Sequence, residues 1–291
     1  MVRRFLILVF ILFTFSALSA QDKDARSPEA GQAYNEGNSL VKQKKYEQAI
    51  PKYLAAIKAD ANFPQANYMV AISYQKTKQY QKAIEYFKNA IKLDNKFEKA
   101  YIALGNLQMG LEEFSDAINS FNAVLSFNPQ SAKANYGLGK IYKTKKDYKK
   151  AIKYLKAALE ANPKYDRAWN ILGLVYDEQK QYKKAAEAYS NAIKNTRSKA
   201  LKASYSYRLG VAQINIKKYK EAEKNLLTAL KLTRKGTIKA ASNFYLGEVY
   251  KHLGQKQKAI RYYTQAAKNR TWQKAADYEI DLIKNPDKYA Y

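Results

Sequence analysis

An all-α solenoid of about seven helix pairs, closed by one further helix, is the fold predicted by this 291-residue sequence. Three observations predict it. A small residue recurs at Gly37, Ala71, Gly105, Gly139, Gly173, Gly210 and Gly247, at spacings of 34 residues that lengthen to 37 for the last two. Twelve residues after each comes an alanine: Ala49, Ala83, Ala117, Ala151, Ala185, Ala222 and Ala259. A large residue follows that alanine by four positions (Tyr53, Phe87, Phe121, Leu155, Tyr189, Leu226, Tyr263), and a small one by seven (Ala56, Ala90, Val124, Ala158, Ala192, Ala229, Ala266). A period near 34 exceeds any single helix or strand pattern, so the repeating object is a supersecondary unit. Spacings of four and seven trace one face of a helix. The preceding stretch has the same property, as in Trp169, Leu172, Gly173 and Tyr176. Each unit therefore reads as two antiparallel helices joined by a short turn, with small residues facing large ones so that the backbones approach closely.

The units follow in order. The first, 30–63, is the poorest, with Ala33 and Glu36 where large apolar residues are expected; a first repeat open to solvent on one side tolerates that. Units 64–97, 98–131 and 132–165 keep the regular spacing, and 166–202, 203–239 and 240–270 complete the array. The extra residues fall between Ala192 and Gly210 and between Ala229 and Gly247. Three residues are nearly one helical turn, so longer helices are expected there. Residues 271–284 read as an amphipathic capping helix with Trp272, Ala276, Ile280 and Ile283 on one side, followed by a tail, 285–291.

The pattern closely resembles the tetratricopeptide repeat. The family motif (W-x2-L-G-x2-Y, then A-x3-F) is matched by Trp169, Leu172, Gly173, Tyr176, Ala185, Tyr189 and Ala192, and again by Leu138, Gly139, Tyr142, Ala151, Leu155, Ala158 and Pro163. The terminal proline is present only as Pro129 and Pro163. The resemblance covers roughly residues 30–270 and implies a right-handed α-α superhelix whose first helices line a concave groove. It also implies a non-enzymatic interaction scaffold.

Candidate groove residues recur at three positions. Three before the marker come Tyr34, Tyr68, Ile102, Tyr136, Asn170, Tyr207 and Phe244. Six before it, Lys99, Lys133 and Arg167 form a basic row. One after it are Asn38, Asn106 and Lys140, with Ile72, Leu174, Val211 and Glu248 in the other units. Tyrosine offers contact area with a polar tip, which suits binding; the same rings could instead pad contacts between helices. Some relatives clamp C-terminal carboxylates with a Lys and Asn set, of which Asn38, Met69, Lys99 and Ala103 supply only fragments.

Residues 1–20 are expected to be a secretory signal peptide, with 21–29 a short linker. Arg3 and Arg4 precede an apolar run, Phe5 to Phe13, and then Ser16-Ala17-Leu18-Ser19-Ala20; cleavage is expected after Ser19 or Ala20. An uncleaved anchor is the alternative, though the run is short for a span of about 20 residues. Cleavage would leave a periplasmic or secreted chain. The formal charge of +27 draws polyanions. For an exported chain those are anionic lipid head groups, acidic polysaccharide or wall polymers and acidic protein segments rather than nucleic acid; the alternative is that the lysines only solvate helix faces. Lys44, Lys78, Lys146, Lys180 and Lys217 recur in the turn within each unit, with Glu112 and Gly254 interrupting the row. One histidine, His252, and no cysteine exclude ordinary zinc sites and thiol nucleophiles, and the glycines mark packing rather than a phosphate loop. No cofactor is expected. The expected function is an exported scaffold taking a peptide segment or partner protein of the cell envelope in its groove; the alternative is a binder of anionic wall or surface polymers through the lysine edge.

Overall fold

The computed structural model describes residues 27–289. These residues form fifteen α-helices and a short 3-10 turn, and no strand occurs among them. They divide into two compact units, meeting in sequence between Leu107 and Gln108. The expected signal peptide, and the linker up to residue 26, lie outside the described residues.

The first unit holds α1 (Pro28–Lys42) against α2 (Tyr46–Ala59), α3 (Pro64–Lys76) against α4 (Tyr80–Leu93), and most of α5 (Glu98–Gly110). Its fully buried side chains include Tyr53, Phe63, Val70 and Phe87. The second unit continues with α6 (Phe114–Phe127), α7 (Ala132–Thr144), α8 (Tyr148–Ala161), α9 (Asp166–Glu178) and α10 (Tyr182–Asn195). It ends with α11 (Lys199–Asn215), α12 (Tyr219–Leu232), α13 (Gly236–His252), α14 (Lys256–Ala267) and α15 (Arg270–Lys284). Each helix there packs on the next, and Phe121, Leu138, Ile141, Leu155, Tyr189, Leu226, Leu246 and Tyr263 form the buried row between them.

The marker glycines exist for close approach. A Cβ on Gly139 would lie 2.7 Å from Leu155 Cγ, and one on Gly37 would lie 2.5 Å from Tyr53 Cε1. Gly137 adds a contact across repeats that the period does not show, since its face is filled by the Phe121 ring from α6.

One device makes every intra-repeat turn. Lys45 N–H donates to Leu40 O and Lys44 N–H to Val41 O, and the same pair of bonds recurs with Gln79 on Tyr74 and Asp147 on Tyr142. This is the Schellman ending, whose penultimate residue must be left-handed. Lys44, Lys78, Glu112, Lys146, Lys180 and Lys217 take it with φ between 58° and 63°, and Gly254 takes it at 71°. The lysine row of the sequence thus marks one backbone conformation. Glycine is the residue suited to it, and only the seventh repeat uses glycine.

The added residues of the late repeats lengthen the first helix of the pair. α11 and α13 have 17 residues each, against 13 in α7 and α9. Counted back from the marker glycine, both begin about one turn earlier than α9 does: Lys199 and Gly236 lie eleven residues before Gly210 and Gly247, against seven between Asp166 and Gly173. α15 covers the last pair: Trp272, Ala276, Ile280 and Ile283 pack on the cluster around Tyr250 and Tyr263. Beyond it, Lys288 and Tyr289 donate to the Asp281 carboxylate and hold that acid well below its usual range.

Candidate functional site: the first-helix cluster of the second unit

Three first helices of the second unit, α7, α9 and α11, bring aromatic and basic side chains together. Tyr136 on α7 packs its ring 4.8 Å from Tyr165, the residue that leads into α9. Lys140, one turn on, lies with its ammonium 5.7 Å from the centre of the Tyr136 ring. Burial, then the Arg167 charge, push the Lys140 amine below its ordinary value, so two cations share this corner. Arg208 on α11 reaches back and donates to Asn170 Oδ1 on α9. Tyr205 and Tyr207 precede Arg208 on its own helix, with Tyr205 buried and Tyr207 half-buried. Burial raises both phenols, and Arg208 opposes the rise in each. The group also holds acids: Asp166 lies within electrostatic reach of Tyr136, Tyr165 and Tyr205, and Asp177 lies near Arg208. For Asp177 the balance is resolved. Its carboxyl is raised, by burial and by Glu178, while Arg208 pulls it down.

The arrangement can bind anions and polar segments. Cations held close together in a partly desolvated corner gain from a carboxylate that pairs with them. Aromatic walls beside them offer stacking and phenol hydrogen bonds. Among the described residues no group of three or more acid or histidine side chains is placed to hold a metal. His252 stacks on Tyr219 instead, with ring centres 4.7 Å apart.

The sequence candidates divide between the two units. In the second, Tyr136, Lys140, Arg167, Asn170 and Tyr207 belong to the cluster just described, and Lys133 is exposed on the first turn of α7. Phe244 belongs to an aromatic group that closes the last repeat, 4.7 Å from Trp272 and edge-on to Tyr263 and Tyr245. In the first unit, Tyr34 packs 4.9 Å from Phe63, and Tyr68 packs 5.4 Å from Phe97. Each of these rings thus meets the residue 29 positions later, as Tyr136 meets Tyr165. Asn38 Oδ1 accepts from the buried Tyr53 hydroxyl at 2.8 Å. Lys99 and Asn106 are exposed.

Sequence reasoning missed Arg208, Tyr205, Tyr165 and Asp177. Arg208, Tyr205 and Asp177 have no counterpart of the same type in the other repeats, so periodicity is blind to them. Tyr165 had a signal, because Phe63 and Phe97 occupy the same repeat position.

Comparison with known proteins agrees with this architecture. The tetratricopeptide repeat family matches residues 34–96, 102–166, 142–200 and 172–237, and a second set of the same family matches 241–270. The chain belongs to the tetratricopeptide repeat family. No curated protein matches it. Among solved structures, it is similar to the C-terminal part of a TPR repeat-containing protein of Cytophaga hutchinsonii (16% identity, TM-score 0.65, covering 85% of this chain and 99% of that one). Pseudomonas aeruginosa PilF is also similar (14% identity, TM-score 0.63, 74% and 96% covered), as is a tetratricopeptide repeat protein of Parabacteroides merdae (16% identity, TM-score 0.59, 88% and 99% covered). At these identities the likeness shows the fold. Membership of the family suggests a protein–protein interaction scaffold, and tetratricopeptide proteins are generally non-catalytic. No helix among the described residues is long and apolar enough to cross a membrane.

Proposed function

We propose that the protein is an exported scaffold of the cell envelope, and that the α7–α9–α11 cluster docks an acidic segment of a partner protein. The observation that carries the docking site is the convergence of Lys140, Arg167 and Arg208 with Tyr136, Tyr205 and Tyr207 from three successive repeats. The aromatic walls supply contact area, and the cations select an acidic segment and speed its encounter. Export rests on the charged start, apolar run and small-residue exit of residues 1–20.

Panning a peptide display library on the intact protein tests the docking site, with an Arg167→Ser/Arg208→Ser variant as counter-selection. Enrichment of Asp- and Glu-rich peptides that the variant does not retain supports the reading. Peptides retained equally by the variant, and lost instead when turn lysines are replaced, would transfer the function to the lysine edge and its polymers.

A further inference from the structure

A slot in the fifth repeat lacks a ring that three of its sister repeats possess. In three repeats, a tyrosine three residues past the marker alanine packs on a tyrosine near the end of the first helix, stacked in two of them and tilted by 34° in the third. Tyr86 lies 5.6 Å from Tyr74, Tyr154 lies 5.5 Å from Tyr142 at 5° between planes, and Tyr262 lies 5.3 Å from Tyr250 at 11°. In each, the lysine before the marker alanine sits over the first-helix ring: Lys82, Lys150 and Lys258 lie 5.0–5.3 Å from its centre. In two other repeats the same two positions form a polar pair, Gln108 with Ser120 at 2.7 Å and Gln213 with Asn225 at 2.8 Å.

The fifth repeat keeps half of this arrangement. Tyr176 has its ring, and Lys184 lies 5.6 Å from its centre, but the stacking position is Ala188. A pocket of about 430 Å³ opens there, with Leu159 and Leu172 beneath it and Trp169 at its side. That volume lies within the range of about 300–1,000 Å³ typical of ligand sites. The Trp169 indole N–H is committed to Pro163 O at 2.8 Å, so the wall it gives the pocket is fixed and apolar. The rim carries Lys156 and Lys184 against Glu160 and Glu187, a balanced set suited to a neutral ring with a polar tip.

We propose that this slot takes the side chain of a tyrosine presented by a partner protein. The incoming phenol reproduces the stack that Tyr154 and Tyr262 make within the chain, with Tyr176 on one face and its hydroxyl at the charged rim. None of the slot residues belongs to the α7–α9–α11 cluster, so the inference stands apart from the proposed docking of an acidic segment.

The test uses N-acetyl-tyrosinamide as the probe and the indole N–H resonance of Trp169 as the readout in the full-length protein. The expected result is a saturable shift of Trp169 and none of Trp272, with N-acetyl-leucinamide at least about tenfold weaker. Ala188→Tyr fills the slot, so it should abolish the shift and raise the melting temperature; Ala188→Leu serves the same purpose if the larger ring misfolds. Tyr176→Leu should keep the fold and lose the shift, and Arg167→Ser/Arg208→Ser should keep it. No shift up to about 20 mM probe, an equal shift with the leucine analogue, or a shift that survives both Ala188 substitutions would overturn the proposal.

Discussion

The Tyr189 ring occupies the space that Gly173 leaves empty: a Cβ on Gly173 would lie 2.5 Å from Tyr189 Cε1. Tyr189 is buried, so the ring has nowhere to retreat. Gly173→Val should therefore destabilise the protein by about 1–3 kcal/mol, and Gly139→Val, against Leu155, by a similar amount. Gly31→Ala is the internal control. Nothing lies within 4 Å of its added methyl, and the better helix former should stabilise α1 by about 0.5–1 kcal/mol. Urea melts of the three variants check the signs.

The turns give the opposite prediction for glycine. Lys146 holds φ at 58° at a cost of about 1–2 kcal/mol that glycine does not bear. Lys146→Gly or Lys180→Gly should raise stability by about 1 kcal/mol, even though each removes a charge from an exposed site. Gly254→Ala should lower it. A loss of stability on Lys146→Gly would mean that the lysine side chain itself holds the turn.

Equivalent buried tyrosines differ in how their hydroxyls are served. Tyr53 donates to Asn38 and Tyr263 to Glu248, whereas Leu174 stands at that position in the fifth repeat and the buried Tyr189 hydroxyl has no partner among the described residues. An unmet buried hydroxyl costs about 1–3 kcal/mol. Tyr189→Phe should accordingly be neutral or stabilising, while Tyr53→Phe should cost about 1 kcal/mol by losing a made bond. Paired thermal melts separate the two.

Alkaline pH should unfold the protein through its phenols. Burial raises Tyr165 to about 12, and Tyr136, Tyr205 and Tyr207 are raised for the same cause. Above pH 10 the unfolded chain loses phenolic protons that the folded chain retains, so stability falls as pH climbs from about 10 to 12 and is unaffected near pH 7. Tyr165→Phe should make that fall shallower; an unchanged slope would place Tyr165 outside the cooperative titration.

These predictions show which parts of the molecule the sequence could disclose. The helix pairs were legible because each core contact joins two fixed positions, Gly173 with Tyr189 and Gly139 with Leu155, and the pair recurs at every period. The turn lysines were legible as a row but not as a backbone conformation, since lysine carries no preference for positive φ and Gly254 alone hinted at it. Tyr34, Tyr68 and Tyr136 left binding and padding both open. Their packing partners Phe63, Phe97 and Tyr165 sit at the threshold of the next repeat, outside the family motif. Arg208 was hidden because its repeat position carries an arginine only once, so it has no period.

The cap offers a further check. Trp272 packs 4.7 Å from Phe244 and 5.8 Å from Tyr245, so Trp272→Ala should cost about 2–3 kcal/mol and loosen the last pair before the rest. Hydrogen exchange should speed up first in α13 and α14. Uniform acceleration along the second unit would instead mark it as one cooperative block.

The docking site meets its most direct test in the dissociation constant of an enriched acidic peptide. Arg167→Ser/Arg208→Ser should weaken it by about tenfold to a hundredfold, since each lost charge-assisted bond is worth about 1.5–3 kcal/mol before compensation. Replacing Lys146 and Lys180 by Ser, outside the cluster, should change it less than about threefold while lowering the association rate. Equal affinity for the arginine variant and the native protein, with that variant still fully folded, would contradict the assignment of the α7–α9–α11 face.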